Sequence, residues 1–269
     1  MDRYRLKNII ILILVLMDLF LLGSLASRQA ARQTARRTAV QQLVELFAAD
    51  GIQLAPSAIS QETPPSSRTL TRDVALERQV AAVLLGNDLS RSDQGGGIST
   101  YSSARGAAMF RSTGGFDAAG TLAQEDVMDF CRKFCRNYGY STPAFRLDSD
   151  GGGTATVTRL YDDVPVFNCT VTFSISHGVL NSVSGTLLPD TFTETASDVT
   201  PLSATAALTA FQKVRRDTGA AVSAITDMYC CFELQSSASV HMSLVPAWCI
   251  VTDTGNYYVN CITGAVTAS

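Results

Sequence analysis

Histidine is nearly absent from this chain: only His177 and His241 occur in 269 residues. Neither stands in a motif that activates a nucleophile or gathers metal ligands. No CxxC pair is present either, so the usual redox dithiol or zinc spacing is missing. The glycine runs 95–97 and 151–153 lack the following helix with Lys or Ser/Thr that a phosphate loop requires, and they read as flexible loops. Asp162-Asp163 and Asp148-Ser-Asp150 look like paired carboxylates, but both fall in turns, where Asp is favoured because its side chain bonds nearby backbone. These shortages argue against catalysis, and no cofactor, metal or small-molecule substrate is expected. Basic charge is also scarce beyond the N-terminus. From position 38 onward there are 14 Lys+Arg and 22 Asp+Glu, a net charge of 14 − 22 = −8, which argues against nucleic acid as a partner.

Cysteine is plentiful instead. Seven residues (Cys131, Cys135, Cys169, Cys230, Cys231, Cys249 and Cys261) cannot all pair within one chain, so at least one thiol is free or intermolecular. Cys131 and Cys135, four apart on a predicted helix, could be taken for metal ligands or a redox pair. Phe130, Phe134 and Tyr138 lie beside them, and the reading preferred here is two small buried apolar residues.

The most prominent pattern is the apolar run at residues 9–22, which continues to 26 and is broken only by Asp18. At ~1.5 Å per residue the span 9–26 reaches ~27 Å, close to a hydrocarbon core of ~30 Å. A carboxylate inside it costs about 2.5–3.5 kcal/mol, and the surrounding Leu, Ile, Val and Phe return ~4–8 kcal/mol, so the segment is expected to insert as a single transmembrane helix. Arg3, Arg5 and Lys7 favour a cytoplasmic N-terminus, although Arg28, Arg32, Arg36 and Arg37 follow the span and nearly balance the count. A cleaved signal peptide is the rival, with Ser24-Leu25-Ala26 as the small-x-small site. Asp18 is expected to face a partner helix in the membrane. The basic stretch 28–37 reads as a helix near lipid phosphates.

Beyond the span, Val40, Leu43, Val44 and Phe47 recur at helical spacing, and residues 52–54 alternate as a short strand. Residues 61–67 (QETPPSS) form a Pro/Ser loop, and Leu76, Val80, Val83 and Leu84 mark a second amphipathic helix ending at Gly86. Residues 88–99 are polar and glycine-rich, and a hairpin is predicted around Tyr101, Phe110 and Phe116. A repeat follows. Thr121-Leu-Ala-Gln124 reads as a capping box for a helix closed by Gly139, with strands at 155–161, 164–176 and 179–188. Ser203 caps a later helix closed near Gly219, with strands at 224–234, 240–252 and 256–266. Thr121 to Pro165 is 44 residues and Ser203 to Pro246 is 43. Each proline sits in Val-Pro-x-aromatic, ending at Phe167 and at Trp248, so Pro165, Phe167, Pro246 and Trp248 are assigned structural roles. The prolines are expected at strand starts or edges, where a missing N–H costs no ladder bond.

The expected fold is therefore α+β: a single N-terminal transmembrane helix, a helical stalk, and tandem helix-plus-antiparallel-sheet units. The divisions are a cytoplasmic tail at 1–8, the span at 9–26, a stalk and N-terminal α/β part at 27–118, and units at 119–190 and 200–269.

Leu244-Val-Pro-Ala-Trp248, then Gly255-Asn-Tyr-Tyr-Val-Asn260 and Thr263-Gly264, resemble the end of PepSY-like units. Met1-Asp2, Lys7-Asn8-Ile9 and Leu16-Met-Asp18-Leu-Phe-Leu-Leu22, with Leu84-Leu85-Gly86 ahead of Tyr101, Gly106 and Phe110, resemble YycH/YycI-type regulatory proteins across nearly the whole chain. That resemblance implies a non-catalytic, single-pass extracytoplasmic protein of the cell membrane, with its N-terminus in the cytoplasm. It would modulate the sensor histidine kinase of a cell-wall two-component system through transmembrane and ectodomain contacts, with a paralogous accessory membrane protein as a further partner. The cysteine content and the basic juxtamembrane stretch depart from the family. The alternative is a PepSY-like secreted or anchored module that binds or inhibits a peptidase.

Overall fold

A computed structural model describes residues 2–122, 126–148, 151–194, 199–236 and 241–268, with the side chains at 2–12, 25, 26, 28–30, 32, 33 and 241 outside that description. The chain begins with one helix, α1 (Asp2–Ala49). It ends where Gly51, at φ 76°, adopts the left-handed conformation, letting the Ile52 N–H reach the Phe47 carbonyl at 2.9 Å. Only the last turns of α1 enter a core: Leu43 and Phe47 are buried, and Phe47 lies parallel to Phe211 with centroids 6.3 Å apart.

The expected transmembrane anchor is overturned. Among the described residues no helix is long and apolar enough to cross a membrane. The single-pass topology, the cell-membrane localisation, the extracytoplasmic placement inferred from it, and the transmembrane role given to Asp18 are withdrawn with it. The residues expected as span and as helical stalk form one continuous helix.

After α1 come β1 (Gln53–Leu54), a 3-10 turn (Pro56–Ala58), β2 (Arg68–Thr71), α2 (Val74–Leu85), β3 (Ser90–Gly95), β4 (Ile98–Ser103), β5 (Gly106–Arg111) and β6 (Gly115–Gly120). Then follow α3 (Val127–Asn137), β7 (Arg146–Leu147), β8 (Gly153–Tyr161), β9 (Val164–Ser176), β10 (Val179–Thr186), β11 (Phe192–Glu194), α4 (Ala204–Thr218), β12 (Ala224–Ser236), β13 (His241–Thr252), β14 (Gly255–Asn260) and β15 (Val266–Ala268). The α3 cap is Asp126, whose carboxylate accepts from the Asp129 N–H at 2.9 Å. Thr121 of the expected capping box lies ahead of the helix, and Gln124 lies outside the described residues. Ser203 caps α4, and Gly219 ends it in the left-handed conformation.

The order helix, strand, strand, strand does occur twice, at α3 with β8–β10 and at α4 with β12–β14. The strands nevertheless form one mixed sheet of 15, not tandem units each with its own sheet. Its spine runs β11-β2-β13-β12-β9-β10-β6-β5-β4-β3. The physical reason is edge pairing: an isolated meander leaves unpaired backbone at both flanks. Here β6 covers β10, β2 covers β13, and β9 meets β12. Residues 88–99, polar and glycine-rich in sequence, contain β3, whose six residues are all exposed and so carry no apolar alternation.

Two cores lie against this sheet. Val80 and Leu84 of α2 and Phe134 of α3 pack with Phe110, Phe116 and Phe173; Phe47 and the α4 residues Leu208 and Phe211 pack with Trp248 and Ile250. Between them sits a smaller cluster holding Leu70, Tyr161, Val166, Phe232, Met242 and Leu244. The two halves of the sheet meet there through a single parallel bridge, Val166 to Phe232. Next to it the Asn168 side chain imitates a strand: Nδ2 donates to the Leu234 carbonyl and Oδ1 accepts from the Leu234 N–H, each at 2.8 Å.

Phe232→Ala is expected to cost about 3–5 kcal/mol, the range for a fully buried aromatic. Asn168→Ala, at an exposed position, should cost about 0.5–1.5 kcal/mol. Urea unfolding curves of the two variants should preserve that ranking.

Candidate functional site

The last third of α1 forms one wall of the largest cleft described, about 630 Å³, with the segment 56–61 as the other. Helical spacing places Val40 and Val44 on one stripe of α1, and Pro56 and Ile59 face them across the cleft. Arg36 and Arg37 stand at its mouth, and the Arg36 guanidinium donates to the Ser60 carbonyl at 3.4 Å. An apolar floor with a cationic rim suits an amphipathic, acidic partner surface. The sequence pointed to both halves, the helical stripe and the basic stretch, but assigned the arginines to lipid phosphates. What it lacked was the segment 56–61, which follows β1 and turns back beside the helix.

Further along α1, away from the body, Ile13 through Met17 and Leu19 through Leu22 are exposed on all sides of the helix, Phe20 by 75%. The packing contacts of α1 are with β1, α4 and the 3-10 turn, all at its C-terminal end. Asp18 sits within this apolar stretch and is itself exposed.

The root of α1 is held by charge. Asp50 accepts from Arg216 Nε at 2.7 Å and Arg215 Nη2 at 2.9 Å, and Gln212 donates to the same oxygen. Hydrogen bonding from Arg216, with its positive charge and that of Arg215, holds the Asp50 carboxyl below the ordinary carboxylate range. These three residues lie on α4, so the clamp fixes the direction in which α1 leaves the body.

The four residues given structural roles are placed as follows. Pro165 is the second residue of β9 and faces Leu160 of β8. Phe167 stacks on Tyr258 with centroids 3.7 Å apart. Pro246 lies where the outer neighbour of β13 changes from β2, which pairs with 241–244, to β14, which pairs with 247–252. Trp248 is fully buried and donates its indole N–H to the Leu202 carbonyl at 2.8 Å. The structure brings Pro246 and Trp248 onto one strand near α4, while Pro165 and Phe167 lie across the seam on β9.

All seven cysteines are free and buried. Burial pushes the thiols of Cys131, Cys135, Cys169, Cys230 and Cys261 up to about 12, and those of Cys231 and Cys249 upward as well. Of the other chemical candidates, His177 sits in a turn with Nδ1 2.9 Å from Ser176 Oγ, and the side chain of His241 lies outside the described residues. Asp162 pairs with Arg68 at 2.6 Å; Asp148 is described, and Asp150 is not. Among the described residues no group of three His, Cys, Asp or Glu is placed to hold a metal ion.

No family model and no curated protein matches the chain. Among solved structures it is similar to an uncharacterized protein from Eubacterium rectale, at 9% identity over 77% of this chain and 81% of that one, with a TM-score of 0.41. Nothing in these comparisons bears on the resemblance to YycH/YycI-type proteins or supports the two-component description.

Two outcomes are expected from this chemistry. Iodoacetamide at pH 8 should leave the native protein unlabelled and should modify all seven thiols once it is unfolded, which intact-mass measurement reads directly. The Asp50 clamp should show in acid. A carboxyl lowered on folding contributes stability that is present above its unfolded pKa of ~3.9 and is lost as pH falls through the folded value. Wild type should therefore exceed Asp50→Asn in melting temperature at pH 6, and the difference should vanish on titration below the ordinary carboxylate range.

Proposed function

We propose that this chain is a non-catalytic regulator that works by protein–protein contact through α1 and the cleft at its root, with a sensor histidine kinase as the partner class. The observation that carries this reading is the apolar stretch Ile13–Leu22, which no other element of the chain covers among the described residues. Exposed apolar surface on that scale marks a contact site, because leaving it in water forgoes ~25 cal/mol for every Å². Asp18 within it supplies a hydrogen-bonding group that orients the partner, and Arg36 and Arg37 supply steering charge at the other end of the same helix. The desolvated thiols fit the reading, since a thiol held near 12 is a poor nucleophile. The choice of a kinase rests on the resemblance of Leu16-Met-Asp18-Leu-Phe-Leu-Leu22 and Leu84-Leu85-Gly86 to YycH/YycI-type proteins.

The test is crosslinking of the full chain to the sensor kinase, with kinase autophosphorylation as the functional readout. Asp18→Asn should retain most of the association. Asp18→Leu should lose about 0.5–1.5 kcal/mol, up to roughly tenfold in affinity, because a hydrogen bond is removed. Arg36→Glu with Arg37→Glu should slow association and remove its salt dependence. Unchanged crosslinking and output across all of these variants would sink the proposal.

A further inference from the structure

Strand β12 has a gap along the edge that faces β9. Its first residues pair with β1, ending at Leu54 to Ile225, and it next meets a strand on that side at Val166 to Phe232. Between these points residues 226–231, paired with β13 on the other side, have no strand neighbour on this side among the described elements. The gap opens because β9 begins at Val164, only two residues before its bridge to β12, so no strand continues beside β12 toward its start. A cleft of about 450 Å³ fills the gap, lined by Glu62, Pro65, Asp163, Val164, Pro165 and Tyr229, among others.

The N–H groups along this edge are occupied by side chains. The Cys230 N–H donates to Glu62 Oε2 at 3.2 Å, and the Met228 N–H donates to its neighbour Asp227 at 2.8 Å. Carboxylates thus stand where the carbonyls of an added strand would stand. Glu62 comes from the Pro/Ser segment 61–67 and is itself exposed, so it can be displaced without opening a core. Unpaired strand edges with an adjoining cleft are the sites at which extended peptides add to sheets: main-chain bonds supply affinity and side-chain contacts supply selectivity.

We infer that the cleft beside β12 at the start of β9 is an acceptor slot for an extended peptide segment of a partner protein, closed in this state by Glu62. The segment pairs with the backbone of β12 at Met228 and Cys230. Its apolar side chains lie against Val164, Pro165 and Tyr229, and a flanking Lys or Arg meets Asp163. At ~3.3 Å per residue, the edge at 226–231 is ~20 Å long, enough for a short strand. This slot is separate from α1 and does not depend on the kinase assignment.

The probe is acetyl-Lys-Val-Thr-Val-Thr-Lys-amide, titrated into the full chain and followed by amide hydrogen exchange at residues 226–231. Binding with slowed exchange at Cys230 is expected. Glu62→Ala removes the resident carboxylate and should tighten binding by about tenfold, the worth of one charge-assisted hydrogen bond. Asp163→Asn should weaken binding severalfold while leaving the melting temperature unchanged. The same peptide with alternate backbone amides methylated keeps its charge and apolar groups but cannot form the ladder, and it should not bind. Equal binding of the methylated peptide, or no binding to either wild type or Glu62→Ala, overturns the proposal. Dimerisation of the peptide-free chain that protects residues 226–231 would overturn it in favour of a second copy as the occupant.

Discussion

The architecture depends on one backbone bridge. The sheet is continuous because Val166 and Phe232 pair in parallel where the two halves meet, and the backbone contact is short because β9 begins only two residues before it. Side chains supply what the backbone does not. Asn168 acts as a surrogate strand for Leu234, and Phe232, Val166 and Leu70 bury apolar surface across the seam. Two arginines close its rim. Arg68 bonds Asp162 and lies over the ring of Phe192 at 4.1 Å, while buried Arg159 lies over Tyr161 at 4.6 Å and donates to the Tyr138 carbonyl and to Asp190. A seam built from few backbone bonds and many side chains is the part of a sheet most able to hold an empty cleft.

The same economy governs α1. A long helix with an exposed apolar stretch gains little stability from its own sequence, and its direction is set where it is anchored. That anchorage is the stacking of Phe47 on Phe211 and the bonds that α4 makes to Asp50. Because α4 also lies against β13 and β14, the sheet, the second core and the projecting helix form one mechanical chain.

Much of the element order could be read from periodicity. Ser203 and Gly219 bound α4 because a hydroxyl cap and a left-handed glycine are local devices, decided by the residues themselves. The strands from β8 to β10 and from β12 to β14 were visible through alternation against a buried face. Local reasoning failed where structure depends on partners distant in sequence. β3 has no buried residue, so its pairing with β4 left no apolar mark. β11 pairs with β2 across more than a hundred residues of chain. The candidate site was half legible: Arg36, Arg37, Val40 and Val44 carry a signal, but Pro56 and Ile59, which turn the helix stripe into a cleft, carry none until the chain folds back.

The sequence by itself determined the ends of α4, the apolar face of a strand such as β9, and that the thiols have apolar neighbours, because these follow from capping, period and composition within a few residues. Tertiary structure alone decided that two similar helix-and-meander runs share one mixed sheet, since edge pairing compares strands far apart in the chain. It also decided that α1 is rooted on α4 through Phe47 and Asp50, and that β9 meets β12 at a single bridge. Each of these is a contact between residues far apart in the chain, which capping, period and composition do not report.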